Sequence, residues 1–533
     1  MVFIEIHDLV WAVFVMAHSD NQSNIGALLQ RRAWANGDIE AYVGVESGQR
    51  MSFAQLNQRA NQLANALRAD GIQPGQRVAL LLLNGSAFFQ AFFALARIGA
   101  VIVPLNWRLT VDELAFLCDD SGACRLIYDV EFLTTVKALE QRPETSAIDQ
   151  WLQVGNSLPP ADFAADYGRF CEGGAIDQPA VTSGGDDYLF IMYSSGTTGL
   201  PKGIIHSHRT VMAAIQTIVA TSQPKLRQRC INMLPMFHVG ALTPLLVNVY
   251  SGVTSVMMRA FDPQRAWQVI DRERIDSGLV VPAMLQAMST VAVADRGDHS
   301  SLQWLSVGAA PVAPSLIVEY SKLGIQLRQV YGLTETCGPG CVMDDSNGLL
   351  RPHSAGRSFF LTDVRIVDAE GRDCERDEAG EVLIRGDHLM VGYWRRPEAT
   401  AEALRDGWLF SGDIGSLDDE GFVTILDRKK DMIISGGENI YPAEIEAVLL
   451  AQAGIDDAAV IGQPSDQWGE SPVAIVVAQG LSEQQVIDGC RQRLAAYKLP
   501  VAVTFIDHIP RNPSGKILKR VLRERYTQTD VDS

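Results

Sequence analysis

The sequence predicts an α/β protein whose chain ends in a smaller α+β unit. Three observations carry this. An amphipathic helix over residues 52–67 leads through a Gly-Pro-Gly turn into Arg77-Val78-Ala79-Leu80-Leu81-Leu82-Leu83, a strand with no polar face. Such strands are buried on both sides, as in parallel sheets. Helix and strand patterns then alternate through most of the chain. From about residue 355 the strands instead alternate apolar with polar residues, and the last stretch of about 105 residues is long enough to fold as a unit of its own.

In the first helix Phe53, Leu56, Ala60, Leu63, Ala64 and Leu67 fall at helical spacing, and Ser52 with Gln55 forms a capping box. The stretch from Ala91 to Leu105, broken by Arg97, reads as a buried helix feeding the strand Val101–Val103. Arg125–Tyr128 is the next strand, and residues 131–186 carry little pattern. Tyr188–Met192 reads as a buried strand ahead of the loop Tyr193-Ser194-Ser195-Gly196-Thr197-Thr198-Gly199-Leu200-Pro201-Lys202-Gly203. A helix at about 208–221 follows. Strands are expected at 230–235, 255–258, 277–281 and 304–308. In open α/β sheets ligands gather at the carboxyl ends of such strands. Val364–Val367 and Glu381–Arg385 read as antiparallel strands with one wet face. Asp427-Arg428-Lys429-Lys430-Asp431 reads as a charged hinge. Beyond it come a helix opened by Pro442, strands at 458–461 and 473–477, a helix capped by Ser482, and a strand over 501–506.

The composition sets limits. The length of 533 residues exceeds one core, and 47% apolar with 20% charged residues is ordinary for a globular protein. A net charge of −18 argues against a nucleic-acid partner, which needs a basic face. Eight irregularly spaced Cys with no secretory pattern suggest reduced thiols and a cytoplasmic location. Cys337 and Cys341 lack the further Cys or His of a zinc site. No segment has transmembrane length. Residues 1–15 are apolar with acidic charges only, which does not fit a signal peptide; Met16 is the expected natural start and residues 1–15 an extension.

The loop at 193–203 combines glycines, hydroxyls and Lys202. Glycine lets backbone N–H groups approach an anion closely, and the hydroxyls and Lys add donors and charge. It reads as a polyphosphate cradle. It is not a Walker A loop, because Pro201 and Gly203 stand where that motif has Gly and Ser/Thr.

This loop resembles the signature of the adenylate-forming (AMP-binding) superfamily, which includes acyl-CoA synthetases. Tyr331-Gly332-Leu333-Thr334-Glu335-Thr336 resembles a second signature. Gly380-Glu381, Gly392-Tyr393 and Pro397–Thr400 resemble a third. Ser411-Gly412-Asp413, the 427–431 stretch, Gly436–Pro442 and Pro510–Lys516 are similar to further motifs, in the same order.

The resemblance implies two stacked α/β sheets plus a β-barrel-like unit within residues 16–426, and a small mobile domain over 427–533. It implies a two-step reaction. A carboxylate attacks the α-phosphate of ATP to give acyl-AMP and pyrophosphate, and the thiol of CoA then displaces AMP. One anion must attack another, so the site needs donors and cations that strengthen as charge spreads. By resemblance, Thr197, Thr198, Gly199 and Lys202 hold the β- and γ-phosphates, Glu335 holds Mg²⁺, and Thr334 donates to the α-phosphate. Lys516 bridges carboxylate and α-phosphate. Asp413, beside Arg428, accepts from the ribose hydroxyls. Tyr331 stacks on adenine, with Gly332 in the ATP site beside it and Gly308-Ala309-Ala310-Pro311 lining the opposite side. Phe237, His238, Val239, Gly240, Val307, Thr336, Cys337, Gly338 and Pro339 line the acyl pocket. These segments hold no Lys, Arg or Asp, so a fatty or aryl acid fits better than an amino acid. Asp427 is the hinge, Lys430 lies beside it, and Gly436 and Gly437 border the CoA arm.

The implied partners are a carboxylic acid, ATP and CoA, with homodimer formation left open. Two alternatives stand beside this reading: a ligase passing the acyl group to a carrier protein or amine, and a non-catalytic acyl- or nucleotide-binding protein.

Overall fold

The computed structural model describes residues 24–155, 157–181, 183–194, 201–435, 438–465, 468–491, 493–511 and 516–526. The expectations for residues 1–15, Met16, Thr197, Thr198, Gly199, Gly436 and Gly437 lie outside the described residues.

Two large sheets form the body of the chain. The first has eight strands in the order 392–393, 202–207, 188–194, 101–104, 77–81, 123–129, 150–154 and 164–166. The second has nine, in the order 357–358, 341–342, 326–331, 304–307, 277–280, 229–232, 254–257, 40–44 and 50–52. The central pairings of both are parallel.

The apolar strands are buried on both faces, and successive side chains enter different cores. In strand Arg77–Leu81, Val78 and Leu80 enter the core between the two sheets, whereas Ala79 and Leu81 enter the outer core of the first sheet. Helices Phe53–Ala69, Ser86–Ile98, His208–Ser222 and Val239–Ser251 supply the central layer. Helices Pro263–Glu273, Pro282–Ser289 and Pro314–Lys322 cover the far face of the second sheet. The Ser52 capping box is formed on both sides, with Gln55 N donating to Ser52 Oγ and Ser52 N to Gln55 Oε1.

Two strands in the stretch 131–186, Gln150–Val154 and Ala164–Asp166, extend the first sheet at its edge. The loop after Tyr188–Ser194 leads into strand Lys202–Ser207, antiparallel to it, and only then into helix His208–Ser222. A Walker loop runs directly into a helix, so the topology independently excludes that motif.

The expected barrel-like unit is a five-stranded antiparallel sheet of strands 363–367, 380–385, 404–405, 408–417 and 423–428. The last five-stranded sheet holds strands 433–435, 438–440, 455–465, 469–478 and 502–505, with helices Pro442–Leu450 and Glu483–Arg491 packed on one face. Between them the chain passes through residues 429–432. No helix among the described residues is long and apolar enough to cross a membrane.

Candidate active site

The parallel strands 277–280, 304–307 and 326–331 run in register, with Val280 opposite Val307 and Val307 opposite Gln329. Their carboxyl ends therefore open at one level. Two loops leave there: Gly308–Pro311, and Gly332 leading into the 3₁₀ turn Thr334–Thr336. Ala309 and Cys337 hold positive φ of 74° and 56° without being glycine, a conformation that costs about 1–3 kcal/mol and concentrates at functional sites. Gly332 has no room for a side chain, since a Cβ there would lie 1.6 Å from the Gly338 carbonyl oxygen.

Asp413 reaches this level from the antiparallel sheet. Its Oδ2 accepts from the Tyr331 hydroxyl at 2.7 Å. Its Oδ1 pairs with Arg428 Nε at 2.7 Å, because Asp413 and Arg428 are cross-strand partners. Burial raises the Asp413 pKa, and the Arg428 guanidinium opposes the rise. Lys516 stands within electrostatic reach of Arg428, Asp413, Lys430 and Asp431. Burial, reinforced by Arg428, lowers its ammonium pKa to about 8. Lys430 is also shifted down by burial. The C-terminal unit thus brings Lys516 to the side of the Asp413–Arg428 pair.

Glu335 is partly buried, and its Oε1 accepts from the Tyr393 hydroxyl at 2.9 Å. The Tyr393 ring faces Lys202 Nζ at 5.0 Å from its centroid. Strand Gly392–Tyr393 pairs with Lys202–Ser207, so Lys202, at the exit of the 193–203 loop, and the Glu335 carboxylate are joined through one tyrosine. At the base of the loop the Tyr193 hydroxyl donates to Asp120 Oδ2 at 2.7 Å, and Arg396 Nη2 donates to Asp120 Oδ1 at 2.8 Å.

Among the described residues no group of three or more His, Cys, Asp or Glu is disposed to hold a metal. A Mg²⁺ ion bound through one carboxylate and substrate phosphates needs no such cage. Glu335, with Oε1 held by Tyr393 and Oε2 not engaged by it, fits that mode. Asp427 engages the C-terminal unit: its Oδ2 accepts from Ala443 N at 2.8 Å and its Oδ1 from Arg428 N at 2.7 Å. It therefore caps the first turn of helix Pro442–Leu450.

A cavity of about 650 Å³ opens from this level. Gly308, Ala309, Gly332 and Thr334 line the end at the strand termini. On one side helix Val239–Ser251 presents Gly240, Thr243, Pro244, Val247 and Asn248, and on the other the second sheet presents Cys230, Ser277, Leu279, Trp304 and Ser306. Both sets follow from periodicity: 240, 243, 244, 247 and 248 share a helix face, and alternate strand residues share a sheet face. A Cβ on Gly240 would meet only ordinary contacts, the nearest at 3.5 Å from Leu234, so that glycine leaves space in the cavity.

His238, Val239, Gly240, Gly338 and Pro339 lie in the lining. Four expected pocket residues do not, and the expectation is corrected. Val307 points to the opposite face of the sheet from Ser306 and packs in the outer core. Phe237 is buried edge-on against Trp107 at 6.0 Å, behind His238. Thr336 and Cys337 are fully buried. The Thr336 hydroxyl closes its own turn to Leu333 O at 3.0 Å, and the Cys337 carbonyl accepts from Thr243 Oγ1 at 2.9 Å. Ala310 and Pro311 are exposed and outside the lining. Sequence reading missed the helix stripe, the sheet floor, and two cations at the rim, Arg108 and Arg259. The stripe has a legible signal, small and polar residues at helical spacing within an otherwise apolar helix. His238 Nε2 is buried with no hydrogen-bond partner among the described residues, and burial lowers the ring's pKa to about 4, so it faces the cavity neutral.

Comparison with known proteins agrees with this geometry. Residues 29–394 match the model of the AMP-binding enzyme family, and residues 444–516 match that of the AMP-binding enzyme C-terminal domain. A long-chain-fatty-acid–CoA ligase, FadD13, of Mycobacterium tuberculosis is 44% identical, covering 95% of this chain and 99% of its own. A feruloyl-CoA synthase of Amycolatopsis is 39% identical over 90% of this chain and 94% of its own. The structure titled Mycobacterium tuberculosis fatty acyl CoA synthetase superposes with a TM-score of 0.79 at 42% identity, covering 96% of this chain and all of that one.

The chain belongs to the AMP-binding enzyme family. Within it, the chain is an ATP-dependent acid–thiol ligase of the acyl-CoA synthetase type, acting through an acyl-adenylate.

Proposed function

We propose that this ligase activates an elongated apolar acid, a fatty acid or an extended aryl acid. The observation that carries the proposal is the cavity joining Thr334 and Gly308 to the stripe Gly240–Asn248. Eight residues of helix rise about 12 Å. At about 1.2 Å per bond of extended chain, roughly ten bonds span the stripe. Apolar burial supplies the affinity, about 0.8 kcal/mol per methylene.

In this reading the acid's carboxylate lies at the Thr334 end. Lys516, cationic when it meets two anions, holds carboxylate and α-phosphate together, and the Thr334 hydroxyl donates to the α-phosphate. Asp413 accepts from the ribose, already oriented by Tyr331 and Arg428. Lys202, Thr197, Thr198 and Gly199 hold the departing pyrophosphate. Glu335 is the ligand for Mg²⁺, which neutralises phosphate charge when bound. Rotation of the C-terminal unit about Asp427 then withdraws Lys516 and brings Gly436 and Gly437 to the site for CoA. Such gating lets one site run two chemistries.

The test is acid-dependent pyrophosphate release over saturated acids of graded length and aryl acids of graded extension. A kcat/KM that rises with length until the stripe is filled supports the proposal. A preference for short or amino acids contradicts it.

A further inference from the structure

Glu335 rides on a single 3₁₀ turn, Thr334–Thr336. So short a turn holds little stability of its own. All three of its carbonyls accept hydrogen bonds from outside. Thr334 O faces His206 Nε2 at 2.8 Å, Glu335 O accepts from Met390 N at 2.7 Å, and Thr336 O faces His388 Nδ1 at 3.0 Å.

A carbonyl only accepts, so the facing ring nitrogen carries the proton in each histidine. The other nitrogen faces a hydroxyl: His206 Nδ1 lies 3.1 Å from Thr210 Oγ1, and His388 Nε2 lies 2.8 Å from Thr362 Oγ1. Neither ring has any solvent exposure. Burial lowers both pKa values to about 4, which keeps the rings neutral and the tautomers fixed. His206 comes from strand Lys202–Ser207 and His388 from the turn after strand Gly380–Arg385, and they engage opposite ends of the 3₁₀ turn.

We propose that His206 and His388 are positioning residues for adenylation, clamping the turn so that the Glu335 carboxylate and the Thr334 hydroxyl are presented together. The proposal rests on the reading of Glu335 as the cation ligand. Neither histidine touches substrate. Outer partners of this kind are worth about 10–100-fold in metal affinity or activity.

The tautomers make the test specific. A glutamine places its amide N–H near an imidazole Nε2, and an asparagine near an Nδ1. His206→Gln and His388→Asn therefore keep the needed donor, while His206→Asn and His388→Gln misplace it. Each full-length variant, with Glu335→Gln alongside, is measured three ways. The first is Mn²⁺ affinity of the ATP complex by paramagnetic water relaxation, the second single-turnover adenylation, and the third thioester formation from supplied acyl-adenylate.

The expected result is near-parent behaviour for the first pair. For the second pair we expect about tenfold weaker Mn²⁺ binding and about tenfold slower adenylation, with thioester formation intact. If all four variants bind Mn²⁺ and adenylate alike, or if both half-reactions fall together in every variant, the clamp is wrong. Glu335→Gln without effect on Mn²⁺ affinity overturns the ligand reading beneath it. Glu335→Gln weakening Mn²⁺ while the four histidine variants do not overturns the clamp alone.

Discussion

The Tyr393 hydroxyl donates to Glu335 Oε1 at 2.9 Å while its ring faces Lys202 Nζ. One side chain thus sets the spacing between the carboxylate on the 3₁₀ turn after one sheet and the lysine that opens strand Lys202–Ser207 of the other. Burial, with the Glu335 charge adding to it, drives the phenol pKa upward, so the hydroxyl stays a donor throughout the working pH range. A hydrogen bond to a charged group is worth about 1.5–3 kcal/mol. Tyr393→Phe is expected to slow adenylation by roughly tenfold or more, with the loss largest at low Mg²⁺ and with thioester formation from supplied acyl-adenylate retained. Single-turnover assays across Mg²⁺ concentrations check this; a loss independent of Mg²⁺ would place the effect elsewhere.

Lys516 gives the pH dependence. Its pKa is lowered to about 8, so the free enzyme carries the cation below that pH and loses it above. The kcat/KM of adenylation, which reports the free enzyme, falls as pH rises through about 8. Lys516→Arg, with a guanidinium that stays charged, should remove the alkaline fall even at a lower maximum. Lys516→Ala should abolish adenylation and spare thioester formation from supplied acyl-adenylate. Equal loss of both halves would show that the division of roles is wrong.

The cavity stripe predicts specificity. Gly240→Leu fills space where a Cβ meets only ordinary contacts, near the start of the acyl path. The variant should fold normally and lose the longer acids. About four methylene-sized groups are displaced, so the preference for long over short acids should fall by on the order of 100-fold. A chain-length series of kcat/KM measures it; an unchanged profile would move the acyl path off this helix.

Glu446 and Lys519 form a largely buried pair at 2.9 Å, and Glu446 Oε1 also accepts from Val460 N at 2.8 Å. Leaving one member of such a pair alone costs about 3–5 kcal/mol, whereas replacing both by apolar groups is close to neutral. Lys519→Met should destabilise the C-terminal unit by about that amount, and Glu446→Leu with Lys519→Met should recover most of it. Denaturant unfolding of the full chain reads both.

The sheets were legible because their strands are apolar without interruption, as in Arg77–Leu83, and because caps such as Ser52/Gln55 mark the helix starts. Strand Lys202–Ser207 was not expected: it begins inside the donor-rich loop, whose chemistry masks the pairing with Tyr188–Ser194. The site motifs were legible as ordered signatures, and the structure brings Tyr331, Asp413, Arg428 and Lys516 to one place. The acyl wall was legible only in part. Val307 and Ser306 are neighbours in sequence, and only the phase of a strand, fixed by its pairing, decides which one faces the cavity. Tyr393 was legible only as part of a motif, and His206 and His388 not at all, because the contacts they make cross more than 50 positions of sequence.

The most direct measurement is isotope exchange between ATP and pyrophosphate in the absence of CoA, followed by addition of CoA. Adenylation before thiol capture predicts acid-dependent exchange without CoA, and acyl-CoA with AMP only once CoA is present. No exchange without CoA, or formation of ADP and phosphate in place of AMP and pyrophosphate, would contradict the account.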